Sequence, residues 1–432
     1  MKTIAIIGAG AAGLMAAATL VENAENLDFH IHLFEKNMSP GKKVIISWGG
    51  RCNVTTSIED RQILAMKYTR GWEFIKKSMW GFGPKKCREW FESHGVPLKI
   101  QPDMRVFPVS DDGRDIVGVF EDVFAKYRDN ITLHYGEWIT DVSVIPVNTG
   151  IQTSSINTGT SPGWQKQSMY QLTTPRWAYT SDILVITTGW NAYSQTGSTG
   201  DGYAFARALG HSVTRLGPSL SSFLTKESWM HALSWVALED ARIGNLRWPI
   251  LLTHFGLSGP LAFMLSSRLA WEEISPTSGT HITLAPRADI DTDMWDIFFR
   301  ESFALHPKKL ITSILSEKLT RRFAESIIDT YFAHIRETFV GSIGKWDRLA
   351  LAKLLWDGID ITLLERRPGD EFVTAGGVDT SELDSETMQS RIQKHLYFAG
   401  EVLNVDGYTG GFSLQICWSS GYVAGLDIAK NL

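Results

Sequence analysis

The segment Gly8-Ala-Gly-Ala-Ala-Gly13 constrains this chain more than any other stretch. It sits between Thr3-Ile-Ala-Ile-Ile7 and the alanine- and leucine-rich run Leu14 to Leu20. A short apolar strand, a glycine turn and strong helix formers, in that order, are the context that a GxGxxG dinucleotide fingerprint requires. Gly8 makes the tight turn, Gly10 lets backbone approach a pyrophosphate, and Gly13 lets the helix pack on the strand. A phosphate there would meet the free N–H groups of Ala11, Ala12 and Gly13 at the positive end of the helix. A secretory signal peptide instead needs an uninterrupted apolar core, which the glycines break.

Phe29-His-Ile-His-Leu-Phe34 reads as a second strand and ends on Glu35. That acid lies near the distance beyond the glycines at which a carboxylate hydrogen-bonds an adenosine ribose. Lys36 next to it, and Lys42 and Lys43 beside Pro40-Gly41, are candidates for the same end of the ligand. His30 and His32 alternate on the strand away from its apolar side and receive no role.

The far end of the chain bears on which dinucleotide is held. Leu396-Tyr-Phe-Ala-Gly400-Glu401 is a strand closing on a glycine and an acid. After it come Asp406-Gly407-Tyr408, Gly410-Gly411-Phe412 and an apolar helix from Ser413 to about Lys430. A second glycine turn feeding a second helix would again present N–H groups to an anion or a polarised carbonyl. Ile183-Leu-Val-Ile-Thr-Thr188-Gly189 supplies a third strand ending in a glycine turn. FAD is long enough to need both ends of such a domain, whereas NAD held by one fingerprint is not.

Composition sets the outer bounds. A chain of 432 residues exceeds what one core usually supports, so two or three domains are expected. A net charge of -5 gives no electrostatic case for nucleic acid. No apolar run reaches the roughly 18 residues of a membrane span. Cys52, Cys87 and Cys417 lie far apart and form no CxxC, which argues against a disulfide scaffold or a metal site and for a reducing cytoplasm. The partner expected is a small molecule, with the oligomeric state left open.

With these three elements in this order, the sequence resembles the two-dinucleotide-binding-domain flavoproteins. It is more closely similar to the BaiN/YhiN-like family, which includes amine-oxidising members. The resemblance rests on Ser47-Trp-Gly-Gly-Arg51-Cys52-Asn53-Val-Thr55, Arg105-Val-Phe-Pro108 and Thr196-Gly-Ser-Thr-Gly-Asp-Gly202. It continues in Thr253-His-Phe-Gly-Leu-Ser-Gly-Pro260, Thr374-Ala-Gly-Gly-Val378 and the block from Gly400 to Gly425. Trp48 stands where that family usually has glycine, Asn404 where it often has Asp, and Phe412-Ser413 where Tyr-Asn is common.

The fold class this implies is α/β: a Rossmann-like, glutathione-reductase-like FAD domain split by an insertion. Residues 1–190 and 370–432 form the FAD domain, and 191–369 the insertion. Within the insertion a β-rich barrel covers about 205–285 and 345–369, and a helical part covers about 286–344. Leu310, Ile314, Leu315, Leu319, Phe323, Ile327 and Tyr331 recur at helical spacing in that part. Asn148 to Gln167, rich in Ser, Thr and Gly, reads as a long exposed hairpin loop.

FAD contacts are then expected from the Gly8–Gly13 turn with Glu35 and Lys36, from Arg51, Cys52 and Asn53, and from Thr188 and Gly189. Arg51 could equally meet an acidic substrate or form a structural ion pair, and Cys52 reads more readily as a buried packing cysteine. At the C-terminal end they come from Gly400, Glu401, Asp406, Gly407, Gly410, Gly411, Phe412 and Ser413. Ser57 stands where a disulfide reductase would carry its second cysteine, and a thiol relay needs two sulfurs. His254 is the general-base candidate, opposed by a structural reading. Tyr408 is a candidate lid or steering group. The chemistry itself belongs to the flavin. The expected activity is hydride transfer between a small molecule and FAD. An amine-oxidase direction and a reductase direction with NAD(P)H as donor both stay open. The alternative is a non-catalytic or redox-sensing flavoprotein that acts through a partner.

Overall fold

In the computed structural model the Gly8–Gly13 turn joins strand β1 (Lys2–Ile7) to helix α1 (Ala11–Asn23). The structure describes residues 1–147, 167–192, 194–277, 279–369, 371–408 and 410–432. The Ser/Thr/Gly-rich stretch expected as a hairpin loop lies, except for Gln167, outside them.

Four more strands line up with the first: β2 (Phe29–Glu35), β3 (Ile131–Tyr135), β4 (Ile183–Ile186) and β5 (Leu396–Phe398). They make a parallel sheet in the order β5-β4-β1-β2-β3. The register sets Ile4 between Ile31 and Ile183, and Ile6 between Leu33 and Val185, all of them buried. Such runs suit a sheet covered on both faces. Because β1 has β2 on one side and β4 on the other, the strand order reverses beside it. A crevice then opens at the carboxyl ends, where ligands bind in this architecture.

From β2 the chain passes Pro40-Gly41 into the short helix α2 (Lys42–Ile46). The last helix, α3 (Gly410–Lys430), packs against α1. The approach is close: a Cβ on Gly421 or Gly425 would fall 2.4 Å from the carbonyl oxygen of Ala12 or Ala16. The helix begins at Gly410, not at Ser413 as expected. Two glycines are poor helix formers, but Gly411 abuts Asn53, whose Nδ2 would lie 2.5 Å from a Cβ there. Packing decides that start.

The described chain forms two compact units, Met1–Leu216 with Val373–Leu432, and Gly217–Phe372. The second unit holds a closed barrel. Its six strands are Phe223–Thr225, Gly256–Ser258, Leu246–Thr253, Val236–Ile243, Thr280–Ala285 and Ile359–Arg366, in that circular order. The helical spacing from Leu310 to Tyr331 resolves into two helices, Ile311–Leu315 and Arg321–Tyr331, broken around Thr320. Residues 345–357, read as part of the barrel, are a helix. Its Leu-Ala-Leu-Ala-Lys-Leu-Leu run has high helix propensity. Only Ile359–Arg366 returns to the barrel.

Among the described residues no helix is long and apolar enough to cross a membrane. No group of His, Cys, Asp and Glu among them is arranged to hold a metal ion.

Candidate functional site

β1 and β4 run side by side, Ile7 opposite Ile186, and leave the sheet as Gly8 and as Thr187-Thr188-Gly189. A cleft partly open to solvent lies at this edge. Gly8, Gly10, Ala11, Ala12, Glu35 and Lys36 line it, and so do Thr188, Gly189 and Glu401. All of these were singled out from the sequence.

The three glycines differ in what they do. Gly8 has φ +106°, and a Cβ there would meet the Thr187 carbonyl oxygen at 2.7 Å. Gly13 carries α1 over the turn: its Cβ would sit 1.9 Å from the Gly8 oxygen and 2.7 Å from Thr187 Oγ1. Gly10 lines the cleft, and a Cβ on it would meet no protein atom within 4 Å. That space is open for a ligand.

Gly10 is also the N-cap of α1, which has no side-chain cap bond and no acid in its first turn. Its first N–H groups lack intrahelical partners and suit an anion. Glu35 is held ready beside them. Its Oε2 accepts the Ala9 N–H at 3.1 Å, and its Oε1 accepts Asn37 N–H at 2.8 Å and Asn37 Nδ2 at 2.6 Å. Lys43 pairs with Glu401 at 3.0 Å, and both line the cleft. Thr188 Oγ1 is buried with no hydrogen-bond partner, an unmet polar group in the cleft lining.

The C-terminal block behaves differently. Asp406 is 1% exposed, and its two oxygens take Arg70 Nε at 2.6 Å and an Arg70 terminal nitrogen at 2.5 Å. Asp406, expected to contact FAD, instead forms a buried ion pair that fixes the loop before α3. Gly407 and Gly411 are close-contact positions against Phe412 and Asn53, and Gly400 against Ala12. Gly410 opens α3. Phe412 and Ser413 are buried, and the Phe412 carbonyl accepts the Tyr68 hydroxyl at 3.3 Å. Of the residues singled out in this block Glu401 lines the cleft, where Leu414 and Cys417 join it.

In the Arg51 segment the side chains are engaged within the protein. Arg51 pairs with Asp111 at 2.8 Å and stacks on Phe107 at 4.2 Å, the structural ion pair that the sequence left open for it. Cys52 is fully buried, and burial pushes its thiol up to about 12, so it stays protonated as a packing group. Asn53 is buried and accepts the Val106 N–H at 3.3 Å.

His254 and Tyr408 stand in different units. His254 is exposed at a tight turn in which Thr253 Oγ1 donates to the Gly256 carbonyl at 3.0 Å. Tyr408 is only 7% exposed, which removes the reading of a free lid.

Sequence reasoning missed several lining residues, among them Asn37, Trp138, Ser198, Asp201 and Cys417. For Ser198 and Asp201 the signal was the glycine-rich segment Thr196–Gly202, one of those that carry the family resemblance. Nothing in the sequence pointed to Trp138 or Cys417.

These features fit FAD: a cradle open where Gly10 lacks a side chain, an uncapped helix end, a preset carboxylate and an unsatisfied hydroxyl. Whole-length relatives agree with a redox role. The chain is 26% identical to a 3-dehydro-bile acid delta(4,6)-reductase of Clostridium scindens, covering 100% of both chains. It is 29% identical to a ribosomal RNA dihydrouridine synthase of Escherichia coli, covering 98% of this chain and 97% of the relative. The Haemophilus influenzae protein of that name is 26% identical over 99% of this chain and 98% of its own length. The family described as HI0933-like protein Rossmann domain matches residues 2–427, and this chain belongs to it, as an FAD-dependent oxidoreductase.

Proposed function

We propose that this protein works in the reductase direction and saturates a carbon–carbon double bond conjugated to a carbonyl group. One observation carries this direction. The two kinds of relative, aligned over nearly their whole lengths, are named for making the same kind of bond change. A 3-oxo-4,6-diene and the uracil ring both present an alkene conjugated to a carbonyl. The net change is addition of a hydride at the carbon β to the carbonyl and a proton at the α carbon. NAD(P)H is the proposed source of electrons.

Bound FAD supplies a two-electron carrier of hydride. The α1 N-terminus and Gly10 hold its pyrophosphate, and Glu35 holds the adenosine ribose. The Lys43–Glu401 pair and Thr188 orient the part of the cofactor beyond the pyrophosphate. Cys417, in the cleft lining, has its thiol kept well above the usual range by burial first and by Glu401 second. It contributes a neutral wall, not a nucleophile.

The test is anaerobic. The holoprotein is mixed with NADH, NADPH and a panel of amines while the flavin absorbance is followed. A 3-oxo-4,6-diene bile acid, uridine and ribosomal RNA are then offered to the reduced protein. Bleaching by a nicotinamide and recovery with a conjugated enone supports the proposal. Bleaching by an amine, with no recovery from any unsaturated acceptor, overturns it in favour of the oxidase direction. Recovery with RNA alone would place the double bond in a nucleic acid, against the expectation from net charge.

A further inference from the structure

The cleft has two walls that are distant in sequence. One is the end of β2 with α2, carrying Glu35, Lys36, Asn37 and Lys42. The other is the segment Gln195–Asp201, of which Thr196, Gly197, Ser198 and Asp201 line the cleft. Four polar links run from the first wall to the second. Lys36 Nζ reaches Asp201 Oδ2 at 2.8 Å and Thr199 Oγ1 at 2.5 Å. Asn37 Nδ2 donates to the Thr196 carbonyl at 3.0 Å, and Lys42 Nζ to the Gln195 carbonyl at 2.8 Å. We propose that Lys36, Asn37 and Lys42 latch the segment Gln195–Asp201 across the cleft, so that the adenosine half of FAD leaves only when these links open together.

The backbone is shaped for this contact. Gly197 has φ +97°, and a Cβ on it would lie 2.7 Å from Asn37 Nδ2. Only glycine there lets the segment come so near Asn37. The same Asn37 amide holds Glu35 Oε1, so one side chain ties the ribose-binding carboxylate to the segment opposite. Thr199 Oγ1 donates to Asp201 Oδ1 at 2.8 Å, which stiffens the end gripped by Lys36. Each link is weak alone. Lys36 and Asp201 are 27% and 41% exposed, and solvent screens such a pair. Their effect comes from closing one short segment at several points, which makes opening a joint event.

This rests on the cleft being the FAD site, and the two ideas fail differently. The experiment follows FAD release from the holoprotein by recovery of flavin fluorescence, in the parent and in Lys36→Met, Asn37→Ala, Lys42→Met and the Lys36→Met/Asn37→Ala pair. Single replacements should speed release about three- to tenfold, the range expected for partly exposed charged hydrogen bonds. The pair should speed it about thirtyfold or more. Affinity for ADP, which has only the latched half, should fall by a like factor, while FMN binding stays unchanged. Lys36→Arg should restore slow release. A purely structural role would alter FMN and ADP alike and shift unfolding of the apoprotein. Release and ADP affinity within about twofold of the parent would overturn the latch, provided that Gly10→Val has lost FAD. If Gly10→Val keeps FAD, the cleft assignment fails and the latch fails with it.

Discussion

Gly10 and Gly13 belong to one fingerprint, yet the structure predicts opposite consequences for filling them. In Gly13→Ala the new methyl would fall 1.9 Å from a backbone oxygen of the turn and 2.7 Å from Thr187 Oγ1. Neither the turn nor the strand beneath can step aside, so overpacking should cost about 1–3 kcal/mol or more of fold stability. Gly10 has φ -82° and ψ -172°, extended backbone that any residue adopts, with no protein atom within 4 Å of its Cβ. Gly10→Val should therefore leave the apoprotein as stable as the parent, or up to about 1 kcal/mol more so through the unfolded chain. Its isopropyl group would instead stand where the pyrophosphate meets the α1 N–H groups. Losing two charge-assisted hydrogen bonds at about 1.5–3 kcal/mol each weakens FAD by roughly 10²–10⁴-fold. Denaturant unfolding of the apoproteins and flavin titration separate the two effects. Parent-like FAD affinity in Gly10→Val, or a parent-like midpoint in Gly13→Ala, would refute this division of labour.

Glu35→Gln should weaken FAD by about 1.5–3 kcal/mol, read as a rise in the dissociation constant, because the carboxylate is preset by Ala9 and Asn37. An unchanged constant would remove the ribose from its reach. His32 is lowered to about 4, by burial first and then by His134 and His30. Its folded value lies below the unfolded one, so the unfolded chain binds the proton first as pH falls. The stability it contributes is complete above about pH 6.5 and drains away toward pH 4. In pH-dependent unfolding, His32→Gln should flatten that slope, and a slope identical to the parent's would contradict the assignment.

What the sequence determined by itself is local and covalent in reach. Strand, glycine turn and helix from Thr3 to Leu20, with Glu35 a strand later, were legible because each depends on neighbours within a few residues. Thr188, Gly189 and Glu401 were legible because strands that end on glycine at the same sheet edge must open on the same crevice. Tertiary structure decided what long polar side chains do. Arg51 went to Asp111, Asp406 to Arg70, and Lys36 to Asp201, since a charge pairs with whatever the fold brings within about 3 Å. It also decided the helix start at Gly410, where packing against Asn53 outweighed propensity. Asn37 and the segment from Gln195 to Asp201 show the limit most plainly. Their sequence separation is large, their meeting costs chain entropy that no local pattern encodes, and only the assembled parallel sheet brings them together.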